Sequence, residues 1–270
     1  MDKMVTKGRL MIRRIFLLSI LIAVCFIFSL FLQYFLGAIS FMSSPHINFN
    51  ITGTLIAVVY FNTNFYLLSD GRLVDSRNMS VISNSHSKLH KLTNYSAMLT
   101  AGRYLNNLAP EIARLCSNGP HIYVDDVINL AKTEIKRQWE ELIKRINVQY
   151  KQEKFFCFIV GFDKKHNPRI FYIDNQTTPP FDIQERQLTF EIEIAAISHG
   201  SGNSIENPSS EIASYLNQNI QSNYFIKNPQ KVILEAFNQT LRKLSTINLF
   251  CGGKTFLSII DLTHGYQIII

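Results

Sequence analysis

A single apolar run near the amino terminus constrains the fold of this chain more than any other feature. Residues 15–37 form an almost unbroken apolar stretch of 23 residues. No Asp, Glu, Lys or Arg occurs from residue 15 until Asp70. A helix rises about 1.5 Å per residue, so a helix of this length crosses roughly 30 Å of hydrocarbon. The sequence therefore predicts a transmembrane helix over residues 15–37. A cleaved signal peptide is the alternative, although its apolar region is usually shorter, about 7–15 residues.

The basic residues around this run predict its orientation. Residues 1–14 form a basic tail that carries Lys3, Lys7, Arg9, Arg13 and Arg14, and no basic residue follows the run until Arg72. The positive-inside rule then keeps the amino terminus in the cytoplasm and sends the rest of the chain across the membrane. The expectation is a single-pass membrane protein whose domain lies on the far side, which is the periplasm in a bacterium. An organelle precursor is the alternative, because the tail is basic and poor in acids.

The charge of the chain does not indicate a nucleic-acid partner. The net charge is +7, but the tail carries five basic residues and one acidic, or +4, which leaves +3 on the other 256 residues. No basic stripe interleaved with aromatic side chains, of the kind that nucleic-acid grooves use, is found in the sequence. A hydrophobic content of 47% is enough for a large core. We expect a linker or propeptide over residues 38–53 and one domain over residues 54–270.

Hydrophobic patterning groups strands apart from helices. Strand pairs are predicted at residues 55–68, with a hairpin turn at Asn62-Thr63-Asn64, and at 89–100, around Thr93-Asn94. Further strands are predicted at residues 155–163, 169–174, 192–197, 255–262 and 266–270. Helices are predicted at residues 103–115, 124–148, 211–219 and 229–244, and the polar stretch 75–85 is predicted to be a loop. Such grouping favours α+β packing over a doubly wound parallel sheet.

The four cysteines give no sign of a disulfide framework or a zinc site. Cys25 lies in the apolar run, whereas Cys116, Cys157 and Cys251 lie in a predicted helix end, strand and turn. An odd number outside the run, without C-x-x-C spacing, favours small buried hydrophobic residues. The histidines show no paired metal spacing either. We predict neither a metal nor a cofactor.

One series of short motifs is suited to nucleophilic catalysis by threonine. Gly53-Thr54 opens an apolar run, and Asp70-Gly71-Arg72, Lys88 and Gly102 follow it. A threonine hydroxyl needs a base, and a free α-amine of the same residue can be that base, so a catalytic threonine has to be first in its chain. A lysine lowers the pKa of the hydroxyl, and a buried aspartate keeps that lysine charged. A backbone N–H then stabilises the developing oxyanion, as Gly102 could.

These motifs and their spacing resemble the proteasome β-subunit and HslV family. Asp70 lies 16 residues after Thr54 and Gly102 lies 14 after Lys88, as in that family. The interval of 18 from Asp70 to Lys88 is about two residues longer than usual, which a loop absorbs at small cost. The likeness covers roughly residues 53–261 and includes Ser201, which matches the supporting serine of the family.

The resemblance implies an αββα four-layer sandwich, the fold of amino-terminal nucleophile hydrolases, behind the predicted transmembrane helix. It also implies self-cleavage between Gly53 and Thr54, after which Thr54 acts as nucleophile and base on peptides or unfolded proteins. Lys88, Asp70, Gly102 and Ser201 would assist it, and Arg72 would support the site structurally. Family members assemble into rings, so we expect a homo-oligomeric ring or related subunits.

The chain departs from the family pattern near its carboxy terminus. Active members carry an aspartate where this chain has Asn248, and a serine where it has Cys251. Leu55 occupies a position that is often threonine. Asparagine keeps hydrogen-bonding capacity but loses the negative charge that would hold the terminal amine. Two alternatives stay open: a non-catalytic, membrane-anchored scaffold or binding subunit, and a hydrolase of small amides on the same fold.

Overall fold

The computed structural model describes residues 54–75, 80–103, 105, 107–146, 154–186, 193–197, 208–219, 221–248 and 250–270. The predicted transmembrane helix at residues 15–37 and the linker at 38–53 lie outside these ranges. Within them, no helix combines the length and apolar composition that crossing a bilayer requires. The described residues combine antiparallel sheets with helices, so the predicted α+β class is confirmed.

Twelve strands and five helices are found in the described part of the chain. In chain order the strands are β1 (Ile56–Phe61), β2 (Asn64–Asp70), β3 (Leu73–Asp75), β4 (Ser80–Ser83), β5 (Leu89–Lys91), β6 (Ser96–Gly102), β7 (Phe155–Phe162), β8 (Pro168–Asp174), β9 (Gln184–Arg186), β10 (Glu193–Ile197), β11 (Thr255–Asp261) and β12 (Gly265–Ile268). The helices are α1 (Leu108–Ser117), α2 (Val124–Ile146), α3 (Pro208–Asn219), α4 (Asn223–Lys227) and α5 (Pro229–Ile247).

The strands form two five-stranded sheets and one small hairpin. One sheet has the order β10-β1-β2-β11-β12, and the other has the order β5-β6-β7-β8-β9. Strands β3 and β4 pair with each other as a separate hairpin. All pairings between these strands are antiparallel. Short turns join β1 to β2, β7 to β8 and β11 to β12, whereas α1 and α2 lie between β6 and β7.

The hydrophobic residues of the described chain pack into three clusters. The first joins α1 and α2 to one face of the β5–β9 sheet, and the second joins α3, α4 and α5 to one face of the β1-containing sheet. The third lies between the two sheets, because side chains from β1, β2 and β11 meet side chains from β6, β7 and β8 there. Each sheet is therefore apolar on both faces, which explains why β7 is buried along its whole length.

The β1–β2 hairpin shows how the sequence pattern produces this packing. Asn62 and Thr63 have positive φ values of 48° and 62°, which suits a tight turn between twisted strands. Side chains alternate faces along a strand, so Val58 points into the core between the sheets while Val59 points to the helical side. The hairpin also brings the start of β1 to the end of β2, where the Asp70 N–H donates to the Leu55 carbonyl at 2.9 Å.

Several predicted boundaries are wrong. Helix α1 begins at Leu108 rather than at residue 103, because the Arg103 N–H donates to the Lys154 carbonyl at 2.7 Å and prolongs the β6–β7 ladder. The stretch 75–85, predicted as a loop, contains β4, and β9 and α4 were not predicted at all. These elements are short, and β4 is largely exposed, so the sequence there carries little hydrophobic periodicity.

Candidate functional site

The site begins with a buried ion pair between the end of β2 and the residue before β5. The Lys88 ammonium lies 2.5 Å from Asp70 Oδ1 and also donates to the Asp70 carbonyl oxygen at 3.2 Å. The two residues are 18 positions apart in the sequence. The Lys88 N–H is directed at the Ser69 hydroxyl at 3.4 Å, which orients the lysine backbone against the same strand end.

The carboxylate of Asp70 is satisfied on both oxygens. Its Oδ1 accepts the Leu55 N–H at 3.1 Å, and its Oδ2 accepts the Gly252 N–H at 3.1 Å. Asp70 is 0% exposed and Lys88 is 6% exposed. Burial raises the pKa of the Asp70 carboxyl above its ordinary value, and the Lys88 ammonium and the two N–H donors oppose that rise. Asp70 thus ties Lys88 to the start of β1 and to the carboxy-terminal loop.

The end of β6 lies beside this pair. The Thr100 N–H donates to the Lys88 carbonyl at 3.1 Å, on the β5 side of β6. Backbone N–H groups alternate sides along a strand, so the N–H of Gly102 points to the same side as that of Thr100. Gly102 has a φ of +83°, and a Cβ atom there would lie 2.3 Å from the Lys154 carbonyl oxygen. Only glycine fits this position without strain.

A second set of close contacts joins Arg72 to the carboxy-terminal loop. The Arg72 Nε donates to Asn84 Oδ1 at 3.0 Å, and the guanidinium covers Gly252, where a Cβ atom would come within 2.8 Å of it. The Gly71 N–H donates to the Gly252 carbonyl at 3.1 Å. The segment around Arg72 therefore holds the loop whose Gly252 N–H binds Asp70.

Four of the predicted residues meet around one surface pocket. We call it the Thr54 pocket, and its walls are formed by Thr54, Arg72, Leu73, Val74, His86, Lys88, Thr100, Ala101, Gly102, Arg103 and Phe250. Thr54 is 6% exposed and directly precedes the buried Leu55 at the start of β1. The pocket thus brings together the Thr54 hydroxyl, the Lys88 ammonium group and the backbone N–H of Gly102. Such groups can together stabilise negative charge on oxygen atoms.

The two divergent positions lie behind the pocket in the loop that follows α5. Cys251 is 0% exposed, and burial, assisted by the charge of Asp70, raises the pKa of its thiol to about 12. It is therefore a protonated, unreactive thiol at neutral pH. Asn248 ends α5 and accepts the Phe250 N–H on its Oδ1 at 3.0 Å. Its amide thus shapes the loop that carries Phe250 to the Thr54 pocket.

Two predicted residues lie outside the described part of the chain, namely Gly53 and Ser201. The pocket also contains residues that the sequence did not suggest, among them Leu73, His86 and Phe250. Burial lowers the pKa of His86, and the positive charge of Lys88 lowers it further. His86 could have been suspected from its place two residues before Lys88, whereas Phe250 comes from a distant loop and offers no local signal.

Two comparisons with known sequences find no match to this chain. A scan against protein-family models finds no model that matches, and a search of curated proteins finds no significant match. We therefore infer the function from the geometry of the site and from the motif resemblance.

Proposed function

We propose that the chain is a threonine-type peptidase of the proteasome β and HslV-like kind, made as a membrane-anchored precursor. The observation that carries the proposal is the Thr54 pocket, where Thr54, Lys88 and Gly102 meet and Lys88 is paired with the buried Asp70. The proposed fold is the αββα sandwich of amino-terminal nucleophile hydrolases. The core between the two sheets, with helices on the other face of each, supports that assignment.

Maturation would proceed by attack of the Thr54 hydroxyl oxygen on the Gly53 carbonyl carbon. The Gly102 N–H would stabilise the resulting oxyanion, while Lys88 lowers the pKa of the hydroxyl. The bond between Gly53 and the Thr54 nitrogen breaks as that nitrogen takes up a proton, which leaves an ester on Thr54. Water then hydrolyses the ester and releases the segment that ends at Gly53. The freed α-amine of Thr54 becomes the base for cleaving further peptides.

The site chemistry requires no metal or other cofactor in this mechanism, since the residues supply the nucleophile, the base and the oxyanion donor. The proposed substrates are peptides or unfolded proteins. Residues 15–37 would hold the precursor in the membrane with its amino terminus in the cytoplasm, and cleavage would release the domain. We further propose a ring of identical or related subunits, as the resemblance implies. A domain outside the cytoplasm lacks ATP, so its substrates would have to arrive unfolded.

A second candidate is a permanently anchored, non-catalytic scaffold or binding subunit. Asn248 favours it, because a neutral amide replaces the aspartate that would hold the terminal amine. The Asn248 Oδ1 is moreover engaged with the Phe250 N–H. In that case the Lys88–Asp70 pair would have only a structural role, and the bond between Gly53 and Thr54 would stay intact.

The test is hydrolysis of fluorogenic peptides by the purified full-length chain and by three variants. Thr54→Ala removes the nucleophile, Thr54→Ser keeps a hydroxyl, and Lys88→Met removes the ammonium group. We expect hydrolysis by the wild type and by Thr54→Ser, and none above background by Thr54→Ala or Lys88→Met. Lys243→Met, a substitution of an exposed lysine, is the control and should be fully active. Activity that survives in Thr54→Ala would contradict the proposal.

A further inference from the structure

The two five-stranded sheets have four edge strands, namely β5, β9, β10 and β12. An edge strand presents unpaired backbone groups, and proteins usually protect it by keeping it short or by placing charged side chains on it. Strands β5 and β9 have three residues each, and they carry Lys91 and the pair Glu185 and Arg186, respectively. Strand β10 begins with Glu193. Strand β12 and the two residues after it contain no charged side chain.

The end of β12 is apolar and exposed. Ile268 is 76% exposed, more than any other large hydrophobic residue in the described part of the chain, and Ile269 and Ile270 are also exposed. The N–H groups of Ile269 and Ile270 both donate to the Leu257 carbonyl, at 3.0 and 3.3 Å, so these residues continue alongside β11. Burying these three isoleucines would therefore remove apolar surface from water at the edge of a sheet.

The backbone of β12 also presents hydrogen-bonding groups to its open side. Backbone groups alternate sides along a strand, and the Ile269 N–H is bonded to Leu257 on β11. The N–H and C=O groups of Tyr266 and Ile268 therefore point away from β11. Within the described residues, β11 is the only strand that pairs with β12. Tyr266 and Ile268 can thus form the hydrogen bonds of a further strand.

A second copy of β12 complements this edge. Identical strands can pair antiparallel about a two-fold axis, and a centre at Ile268 places that residue opposite its own counterpart. Tyr266 then lies opposite Ile270, and Gln267 lies opposite Ile269. All of these cross-strand pairs are uncharged, so no like charges meet, and the apolar pairs stabilise the contact. A strand from another protein would need an uncharged apolar run of its own, which the second copy provides by symmetry.

We propose that β12 is a self-association edge, at which two copies of the chain pair antiparallel through residues 266–270 and join their five-stranded sheets into one continuous sheet. The contact is isologous, so it closes with two copies, whereas a ring is built by head-to-tail contacts. One strand pair buries less than the roughly 800 Å² per partner of a stable interface, so we expect the paired copies to exchange in solution.

Disulfide cross-linking tests the pairing and its register in the purified full-length chain. Cys116, Cys157 and Cys251 are buried, and Cys25 is replaced by Ala in all variants. A residue that faces its own counterpart in a hydrogen-bonded pair has Cα atoms about 5.5 Å apart, within the range of about 4.4–6.8 Å that a disulfide requires. Mild oxidation should therefore convert Ile268→Cys into a linked dimer, seen on non-reducing denaturing gels.

Two other exposed isoleucines provide matched controls. Ile270 lies beside Ile268 on the same edge, but in the proposed register its two copies are four residues out of line, or roughly 13 Å apart. Ile122 is exposed in the connection between α1 and α2, away from β12 in the sequence. We expect at least about tenfold less linked dimer from Ile270→Cys and from Ile122→Cys than from Ile268→Cys.

Equal cross-linking of the three variants would indicate random collision and overturn the proposal, as would the absence of a linked dimer in Ile268→Cys. The same pattern is expected when Thr54→Ala is added to each variant, because the edge does not involve the Thr54 pocket. A failed peptidase assay would therefore leave the cross-linking result unchanged, and failed cross-linking would leave the peptidase proposal in place.

Discussion

Two lysine–carboxylate pairs in this protein have similar chemistry and opposite surroundings. Lys88 pairs with Asp70 at 2.5 Å, with side chains that are 8% and 0% exposed. Lys243 on α5 pairs with Glu211 on α3 at 3.1 Å, with side chains that are 67% and 21% exposed. Both pairs join elements that are distant in sequence, so the comparison isolates the effect of burial.

The difference in burial indicates the role of the Lys88–Asp70 pair. A buried ion pair often contributes no more to stability than well-packed apolar residues of similar volume, because both charges lose their hydration. The Asp70 carboxylate nevertheless binds the Leu55 and Gly252 N–H groups as well as Lys88. Such an arrangement fixes the position of an ammonium group at the Thr54 pocket. The exposed pair fixes nothing comparable, and the Lys243 side chain is largely hydrated.

The largest effect that separates the two pairs should come from Lys88→Met. Removing one partner of a buried pair leaves the other charge without compensation, and this costs about 3–5 kcal/mol of the free energy of unfolding. Urea denaturation of the purified wild type and variant measures this loss.

The same variant should show a distinct pH dependence. Without Lys88, the pKa of the buried Asp70 in the folded state rises further above its ordinary value of 3.8. The folded variant then keeps a proton that the unfolded chain releases, so its stability falls as the pH rises from about 4 towards 7. The difference in the free energy of unfolding between this variant and the wild type should widen over that pH range. A gap that stays constant, or a loss below about 1 kcal/mol, would contradict the account of the pair.

The next largest effect should come from Gly102→Ala. The new Cβ atom would clash with the Lys154 carbonyl oxygen at a positive φ, so we expect a loss of about 3 kcal/mol together with loss of activity. Gly119→Ala is the control, because its Cβ atom would meet mainly the His121 ring, which can turn away. Comparable denaturation midpoints for the two variants would show that the end of β6 is less constrained than the structure indicates.

A smaller effect concerns His90, a partly buried imidazole on β5. Its pKa is lowered from 6.5 to about 4 by burial, so the folded state resists protonation. The stability that this provides is complete above about pH 6.5 and is lost as the pH falls towards 4, by about 3 kcal/mol. Across this pH range, the free energy of unfolding should depend less on pH for His90→Gln than for the wild type. Parallel curves for the two proteins would contradict the lowered pKa.

The smallest effect should come from Lys243→Met. Exposed pairs contribute about 0–1 kcal/mol, and salt screens them further. We expect a change in the free energy of unfolding within that range and unchanged peptide hydrolysis. If this variant lost as much stability as Lys88→Met, burial would not be what distinguishes the two pairs.

The sequence predicts the strands and helices that have strong hydrophobic periodicity, because such periodicity depends only on residues close together in the chain. The β1–β2 hairpin follows from alternating apolar residues around Asn62-Thr63, and α2 follows from its helical apolar stripe. The β3–β4 hairpin is missed because both strands are short and β4 is mostly exposed. The start of α1 is misplaced because a backbone bond between Arg103 and Lys154, which is a tertiary contact, extends β6.

The candidate site shows the same limit. The positions of Asp70, Lys88 and Gly102 could be proposed from their spacing, because each follows from the motif resemblance. The contact of Asp70 with the Gly252 N–H spans 182 residues, and Phe250 reaches the Thr54 pocket from the same distant loop. No local pattern encodes such contacts.

The measurement that tests the central claim most directly is the intact mass and amino-terminal sequence of the purified protein. Wild type and Thr54→Ala are expressed with their membrane segment and compared. The account predicts a wild-type chain that begins Thr54-Leu55-Ile56 and a Thr54→Ala chain that keeps its first 53 residues. A wild-type chain that also keeps those residues would contradict the account and leave a membrane-anchored, non-catalytic protein.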